Sequence, residues 1–162
     1  METIFNDNFP FIETEQELQA LIKQYSQYDS YYVASGVIED RRNWFNYLYG
    51  KYYPYADSNF LIDLKKHFHQ RTWEMYLGCV VLGLGTELSP HRDKGPDLSF
   101  DYDGKKIWIE CVACERGVGK DQVPTMKHGV VESVPSDQMI LRITSALREK
   151  RSKYEKYLND GI

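Results

Sequence analysis

Apolar and polar positions along this chain repeat with two different periods. Between Glu13 and Tyr28, Leu18, Leu21, Ile22, Tyr25 and Tyr28 recur at three- and four-residue spacing, which predicts an amphipathic helix. Thr14 followed by Glu17 is a capping-box pattern at its start. Residues 29–59 are crowded with aromatic rings from Tyr31 to Tyr55 and are interrupted by Gly50 and Pro54. They read as short helices and loops, with the rings filling a core rather than stacking on bases. From about Asn59 to about Leu82 the pattern predicts one long helix. Ile62, His69, Trp73, Tyr76, Leu77, Val80 and Leu84 share one face, and Glu74 lies at the margin of that stripe. Gly83 and Gly85 suit its end, and Thr86–His91 reads as a short strand.

The period then changes to two. In Gly95–Cys114, two alternating runs flank Asp103-Gly104, a strong two-residue hairpin signal because a type I′ turn needs positive φ at both central positions. Counting outward from that turn pairs Tyr102 with Lys105, Asp101 with Lys106, and Asp97 with Glu110. Directly opposed residues share a face, with Cβ atoms about 4.5–5.5 Å apart. The turn alone therefore brings two acids together. Glu115–Val134, with Gly117, Gly119, Pro124 and Gly129, reads as a loop. A final helix follows from Asp137 to about Leu158, with Ser136 as its N-cap. Its apolar stripe is Met139, Ile140, Ile143, Leu147, Tyr154 and Leu158, and Lys150 falls near the stripe's centre. Arg142, Arg148, Lys150, Arg151, Lys153 and Lys156 make this helix basic.

The 162 residues suit one domain with a small extension, and the formal net charge of −4 argues against a general polyanion binder, so any nucleic-acid contact is a local patch. The start of the chain lacks a basic segment followed by a long apolar run, and Cys79–Leu84 is too short an apolar stretch to span a bilayer. No membrane association is expected. Three cysteines do not make a disulfide framework, and the expected setting is a reducing cytoplasm. Cys111-x-x-Cys114 has no second pair, and on a regular strand the two thiols point to opposite faces.

The paired acids therefore carry the chemistry. Two carboxylates about 5 Å apart repel by roughly 3 kcal/mol at an effective dielectric near 20. Either one holds its proton more tightly or a divalent cation removes the conflict, and hard oxygen ligands suit Mg²⁺ or Mn²⁺. Glu74 is placed to supply a third carboxylate. A helix bearing Glu74, then Gly95-Pro96-Asp97 and Ile109-Glu110-Cys111-Val112 on a hairpin, then a basic helix: this order resembles the PD-(D/E)XK nuclease superfamily, over about residues 60–160.

The resemblance implies an α/β fold with a restriction-endonuclease-like αβββα core over residues 60–162, preceded by a helical, aromatic-rich extension over residues 1–59. It implies metal-dependent hydrolysis of phosphodiester bonds in DNA or RNA, with Mg²⁺ or Mn²⁺ held by Asp97, Glu110 and the carbonyl of Cys111, and with Glu74 as the helix-borne acid. Two features depart from the family. Its lysine belongs two residues after the glutamate, where this chain has Val112. Either Lys150 or Lys106 reaches in as a substitute, or the fold serves as a non-catalytic module binding nucleic acid or protein. The chain also stops at Asn159-Asp160-Gly161-Ile162, where the family's closing strand would begin. Either the chain is a piece of a longer protein, or its N-terminal residues fill that sheet edge.

Overall fold

The computed structural model describes residues 3–5, 9–90, 95–125, 131 and 133–159. They form two compact units, Met1–Cys111 and Val112–Ile162. The first opens with α1 (Glu15–Gln24), whose capping box is realised: Thr14 Oγ1 accepts from the Glu17 N–H at 3.2 Å and Glu17 Oε2 accepts from the Thr14 N–H at 2.9 Å. Next is α2 (Ser30–Val37), capped by the Asp29 carboxylate on the Tyr31 N–H at 2.8 Å. The third helix, α3 (Glu39–Tyr52), tightens into a single 3-10 turn over Tyr53–Tyr55 at Pro54.

The single helix expected from Asn59 to Leu82 is two helices, α4 (Phe60–Leu64) and α5 (Phe68–Gly83). Backbone hydrogen bonding explains the break. The N–H groups of Lys66 and His67 both bond to the Asp63 carbonyl, at 3.0 and 2.7 Å, while the Lys65 carbonyl turns away to accept from Asp29 N–H at 2.7 Å. The buried face also differs from the expected stripe. Ile62, His69, Trp73, Tyr76, Val80 and Leu84 are exposed, whereas Phe60, Leu64, Phe68, Glu74, Met75, Gly78 and Val81 face inward. Gly78 decides the matter for α5: a Cβ there would lie 2.6 Å from the Tyr52 ring, so α3 and α5 approach most closely along this side.

The core between these helices is aromatic. Phe5 packs on Tyr32 and Phe45 with ring centroids 5.0 and 6.2 Å apart, and Phe45 packs on Phe68 at 5.1 Å. Each large apolar side chain buried here contributes about 1.5–3 kcal/mol. Ile4 and Phe5 therefore belong to the same core as Phe60 and Leu64 of α4 and Phe68, Met75 and Val81 of α5. Two of the buried tyrosines donate from their hydroxyls: Tyr32 to the Ile4 carbonyl at 3.1 Å, and Tyr52 to Glu74 Oε1 at 2.8 Å.

The hairpin forms as counted from its turn. Strand β1 (Leu98–Tyr102) pairs antiparallel with β2 (Lys105–Ile109), with Tyr102 opposite Lys105, Asp101 opposite Lys106 and Leu98 opposite Ile109. Asp103 and Gly104 have φ of 48° and 67°, the positive values a type I′ turn requires. Where a strand was expected over Thr86–His91, Leu88 forms an isolated bridge to Phe100 and Ser89 N–H bonds to the Ser99 carbonyl at 2.7 Å. His91 lies outside the described residues. The described sheet thus has two strands with a third segment beside β1, and the whole is a mixed fold of helices and a small antiparallel sheet.

The second unit holds a 3-10 turn at Gly119–Asp121 and the long α6 (Ser136–Asn159). The expected loop is closed by contacts of its own: Arg116 donates to the Pro124 carbonyl at 2.8 Å, and Arg142 Nε donates to the Glu115 carbonyl at 3.0 Å. Gly117, at φ 77°, lies directly under the Arg142 side chain. Ser136 is the first residue of α6 rather than its cap, and the Pro135 carbonyl accepts from Met139 N–H at 3.0 Å. The apolar stripe of α6 is exposed along its length. Gly129, His128 and the chain end at 160–162 lie outside the described residues. Among the described residues, no helix is long and apolar enough to cross a membrane.

Candidate active site at the base of the hairpin

The ladder ends one step before the two acids. Asp97 immediately precedes β1, Glu110 immediately follows β2, and the last registered pair is Leu98 with Ile109. Beyond it the chain is fixed through the Cys111 peptide rather than through another ladder bond. The Cys111 N–H donates to Asp97 Oδ2 at 2.6 Å, and the Cys111 carbonyl accepts from Gln70 Nε2 at 2.8 Å. Cys111 is fully buried, and Glu110 is half-buried with its Oε2 shut off from solvent.

Helix α5 supplies the other wall. Gln70 and Glu74 are one turn apart and so lie on the same side. Glu74, expected at the edge of the helix, is only 2% exposed. Both its oxygens are held: Tyr52 donates to Oε1 at 2.8 Å, and Arg71 Nη1 donates to Oε2 at 2.8 Å. The same guanidinium also meets Asp57 at 2.9 Å and Asp63 at 2.7 Å, so three carboxylates converge on one cation. Burial pushes the Glu74 carboxyl above the ordinary carboxylate value. The Arg71 guanidinium and the Tyr52 hydroxyl oppose that rise, and the nearby Asp97 charge adds to it. Burial and the same carboxylate push the Tyr52 hydroxyl upward as well.

These shifts have a measurable sign. A carboxyl whose pKa is raised by folding stabilises the fold fully below its unfolded value and loses that contribution as pH rises through the folded value. For Glu74 the loss begins near its ordinary value of 4.5. In Glu74→Gln this component is gone, so the urea midpoint should fall less than in the wild type between acid and neutral pH. Equal slopes in the two proteins would show that Glu74 does not titrate abnormally.

The sequence-level candidates thus divide. Asp97, Cys111 and, through Gln70, the Glu74 side of α5 are brought to one locality, with Glu110 between Ile109 and Cys111. Lys106 is committed elsewhere, bonded to Ser89 Oγ and to Asp101 at 3.2 Å toward the turn. Lys150, on α6, belongs to the second unit, as does the exposed Cys114. Gln70, Arg71 and Tyr52 were not singled out from the sequence. The Gln70–Glu74 spacing of four was the available signal for one of them; nothing local marks Tyr52, which meets Glu74 across 22 positions.

The donor types fit a hard cation: two carboxylates, from Asp97 and Glu110, and the Cys111 carbonyl, which has a second lone pair beside the Gln70 hydrogen bond. Asp97 keeps one oxygen outside its bond to Cys111. Glu74 fits less well, because both of its oxygens are engaged. Among the described residues, no group of three or more His, Cys, Asp or Glu side chains is arranged to hold a metal ion. Compared with protein-family models, curated proteins and solved structures, the chain finds no match in any of the three.

Proposed function

We propose that this protein is a metal-dependent phosphodiesterase of the PD-(D/E)XK nuclease type, acting on DNA or RNA. The observation that carries this reading is the Cys111 peptide, clamped between Asp97 and Gln70, which holds an acid-bearing strand end against the acid-bearing face of α5. The order of α5, the Leu88 segment, β1 and β2 within the first unit supports the αβββ part of such a fold. In this reading Asp97, Glu110 and the Cys111 carbonyl hold Mg²⁺ or Mn²⁺. The cation supplies an activated water and stabilises charge on a phosphate. Gln70 fixes the carbonyl, and Glu74, neutralised by Arg71, shapes the wall behind it. The proton acceptor is unassigned where Val112 replaces the family lysine.

A second reading keeps the fold without catalysis, as a module that binds nucleic acid or protein. Val112 at the lysine position and the engagement of both Glu74 oxygens favour it. Titration with Mn²⁺ while following thermal unfolding separates the two. A ligand at about 100 times its dissociation constant stabilises the folded state by roughly 2.7 kcal/mol. The nuclease reading expects such a rise in melting temperature; a flat response at millimolar Mn²⁺ would favour the binding module.

A further inference from the structure

Buried backbone groups are ordinarily paired within a ladder or a helix. Cys111 lies beyond the last registered pair, Leu98 with Ile109, and its backbone is held by two side chains instead. Asp97 Oδ2 accepts its N–H at 2.6 Å, and Gln70 Nε2 donates to its carbonyl at 2.8 Å. With both backbone groups of one buried residue pinned, the carbonyl and the Asp97 carboxylate are fixed relative to each other. The type of donor at position 70 also matters. A lysine or arginine would satisfy the same carbonyl but would set a positive charge beside the proposed cation. Glutamine donates without charge. Its cationic neighbour, Arg71, is turned to Asp57, Asp63 and Glu74.

We infer that Gln70 is a specificity-determining residue, which makes this site prefer a small divalent cation, Mg²⁺ or Mn²⁺, over Ca²⁺. The inference rests on the proposed metal site at Asp97, Glu110 and the Cys111 carbonyl. Gln70 is a positioning residue there: it acts on the cation through the carbonyl it holds. Mg²⁺ demands near-ideal octahedral geometry at about 2.0–2.1 Å, whereas Ca²⁺ accepts flexible oxygen shells at about 2.3–2.6 Å. A carbonyl pinned by Gln70, beside a carboxylate pinned by the N–H of the same residue, does not spread readily to the longer distances. Without Gln70 the carbonyl is free to shift. The smaller cation then loses a fixed ligand, while the adaptable one loses little.

The test measures Mn²⁺ binding from the electron paramagnetic resonance of the free ion, with Mg²⁺ and Ca²⁺ measured by competition, in the wild type and in Gln70→Met. The variant keeps the length of the side chain and removes the donor. Its affinity for Mn²⁺ and Mg²⁺ should fall about 10–100-fold, the usual cost of removing a group that orients a metal ligand. Its affinity for Ca²⁺ should fall less, so the preference narrows. Gln70→Asn, which keeps the amide but withdraws it by one methylene, serves the same test should Gln70→Met not fold. A second readout needs no metal. Protein labelled with ¹⁵N-cysteine has three cysteine amides, and Cys79→Ser and Cys114→Ser identify that of Cys111. Its exchange with solvent should quicken in Gln70→Met while the protein remains folded. The inference is overturned if the variant binds all three cations as the wild type does, if Mg²⁺ and Ca²⁺ weaken equally, or if exchange at Cys111 is unchanged. A wild type that binds no Mn²⁺ sinks the nuclease reading and this inference together, whereas Mn²⁺ binding with an unchanged preference in Gln70→Met sinks the inference alone.

Discussion

Arg71→Met should lower folding stability by about 3–5 kcal/mol, the usual cost of breaking a buried ion pair from one side. The guanidinium reaches Asp57, Asp63 and Glu74 at 2.9, 2.7 and 2.8 Å, and Glu74 is almost wholly enclosed. Without Arg71, a buried carboxylate keeps only the Tyr52 hydroxyl, and α4 loses its tie to α5 through Asp63. For a chain of this size the loss corresponds to a fall in melting temperature of roughly 10–15 °C. Adding Glu74→Gln to Arg71→Met should recover a large part of it, because the second change removes the uncompensated charge while an amide oxygen still accepts from Tyr52. If the double variant is as unstable as the single one, the cost lies in the Asp57 and Asp63 contacts instead. Thermal unfolding of the four proteins of this cycle measures the difference.

The second large effect concerns Asp97, whose bond to Cys111 can be separated by substitution from its proposed role as a metal ligand. Its Oδ2 accepts the N–H of the fully buried Cys111 at 2.6 Å. Asp97→Ala leaves that N–H without its acceptor, at a cost of about 1–3 kcal/mol. Asp97→Asn keeps an oxygen in place and should hold stability to within about 1 kcal/mol. Both variants lose the negative charge a hard cation needs. The Mn²⁺-dependent rise in melting temperature should therefore vanish in both, although only the alanine variant is destabilised without metal. A full Mn²⁺ response in Asp97→Asn would make Asp97 a strand-end acceptor and nothing more.

Much of the hairpin was legible in the sequence because turn chemistry is local. Asp103-Gly104 demanded positive φ at both positions, and the register followed by counting. Thr14 and Glu17 capped their helix for the same reason. Helix α5 was misread because it is apolar almost all round: with Trp73, Tyr76 and Val80 on one side and Met75 and Val81 on the other, periodicity offers two faces. The choice between them rests on Gly78, whose meaning appears only when Tyr52 of α3 packs against it. The break before α5 was hidden as well, since it depends on Asp29 capturing the Lys65 carbonyl from a distant part of the chain. At the site, counting from the turn set Asp97 opposite Glu110, but the described ladder ends one step earlier, at Leu98 and Ile109, and the bond Asp97 makes is to the Cys111 N–H. The clamp on Cys111 and the Arg71 hub could not be counted in this way, because they join residues 14 and 41 positions apart in one case and three separate acids in the other.

The most direct measurement of the central claim is cleavage of nucleic acid by the purified chain in Mn²⁺, with labelled single-stranded and duplex DNA and RNA, beside Asp97→Asn prepared identically. The expected result is cleavage by the wild type that EDTA stops and that Asp97→Asn lacks while remaining folded. Absence of cleavage by the wild type on every substrate, or equal cleavage by the variant, would contradict a metal-dependent phosphodiesterase built on Asp97 and Glu110.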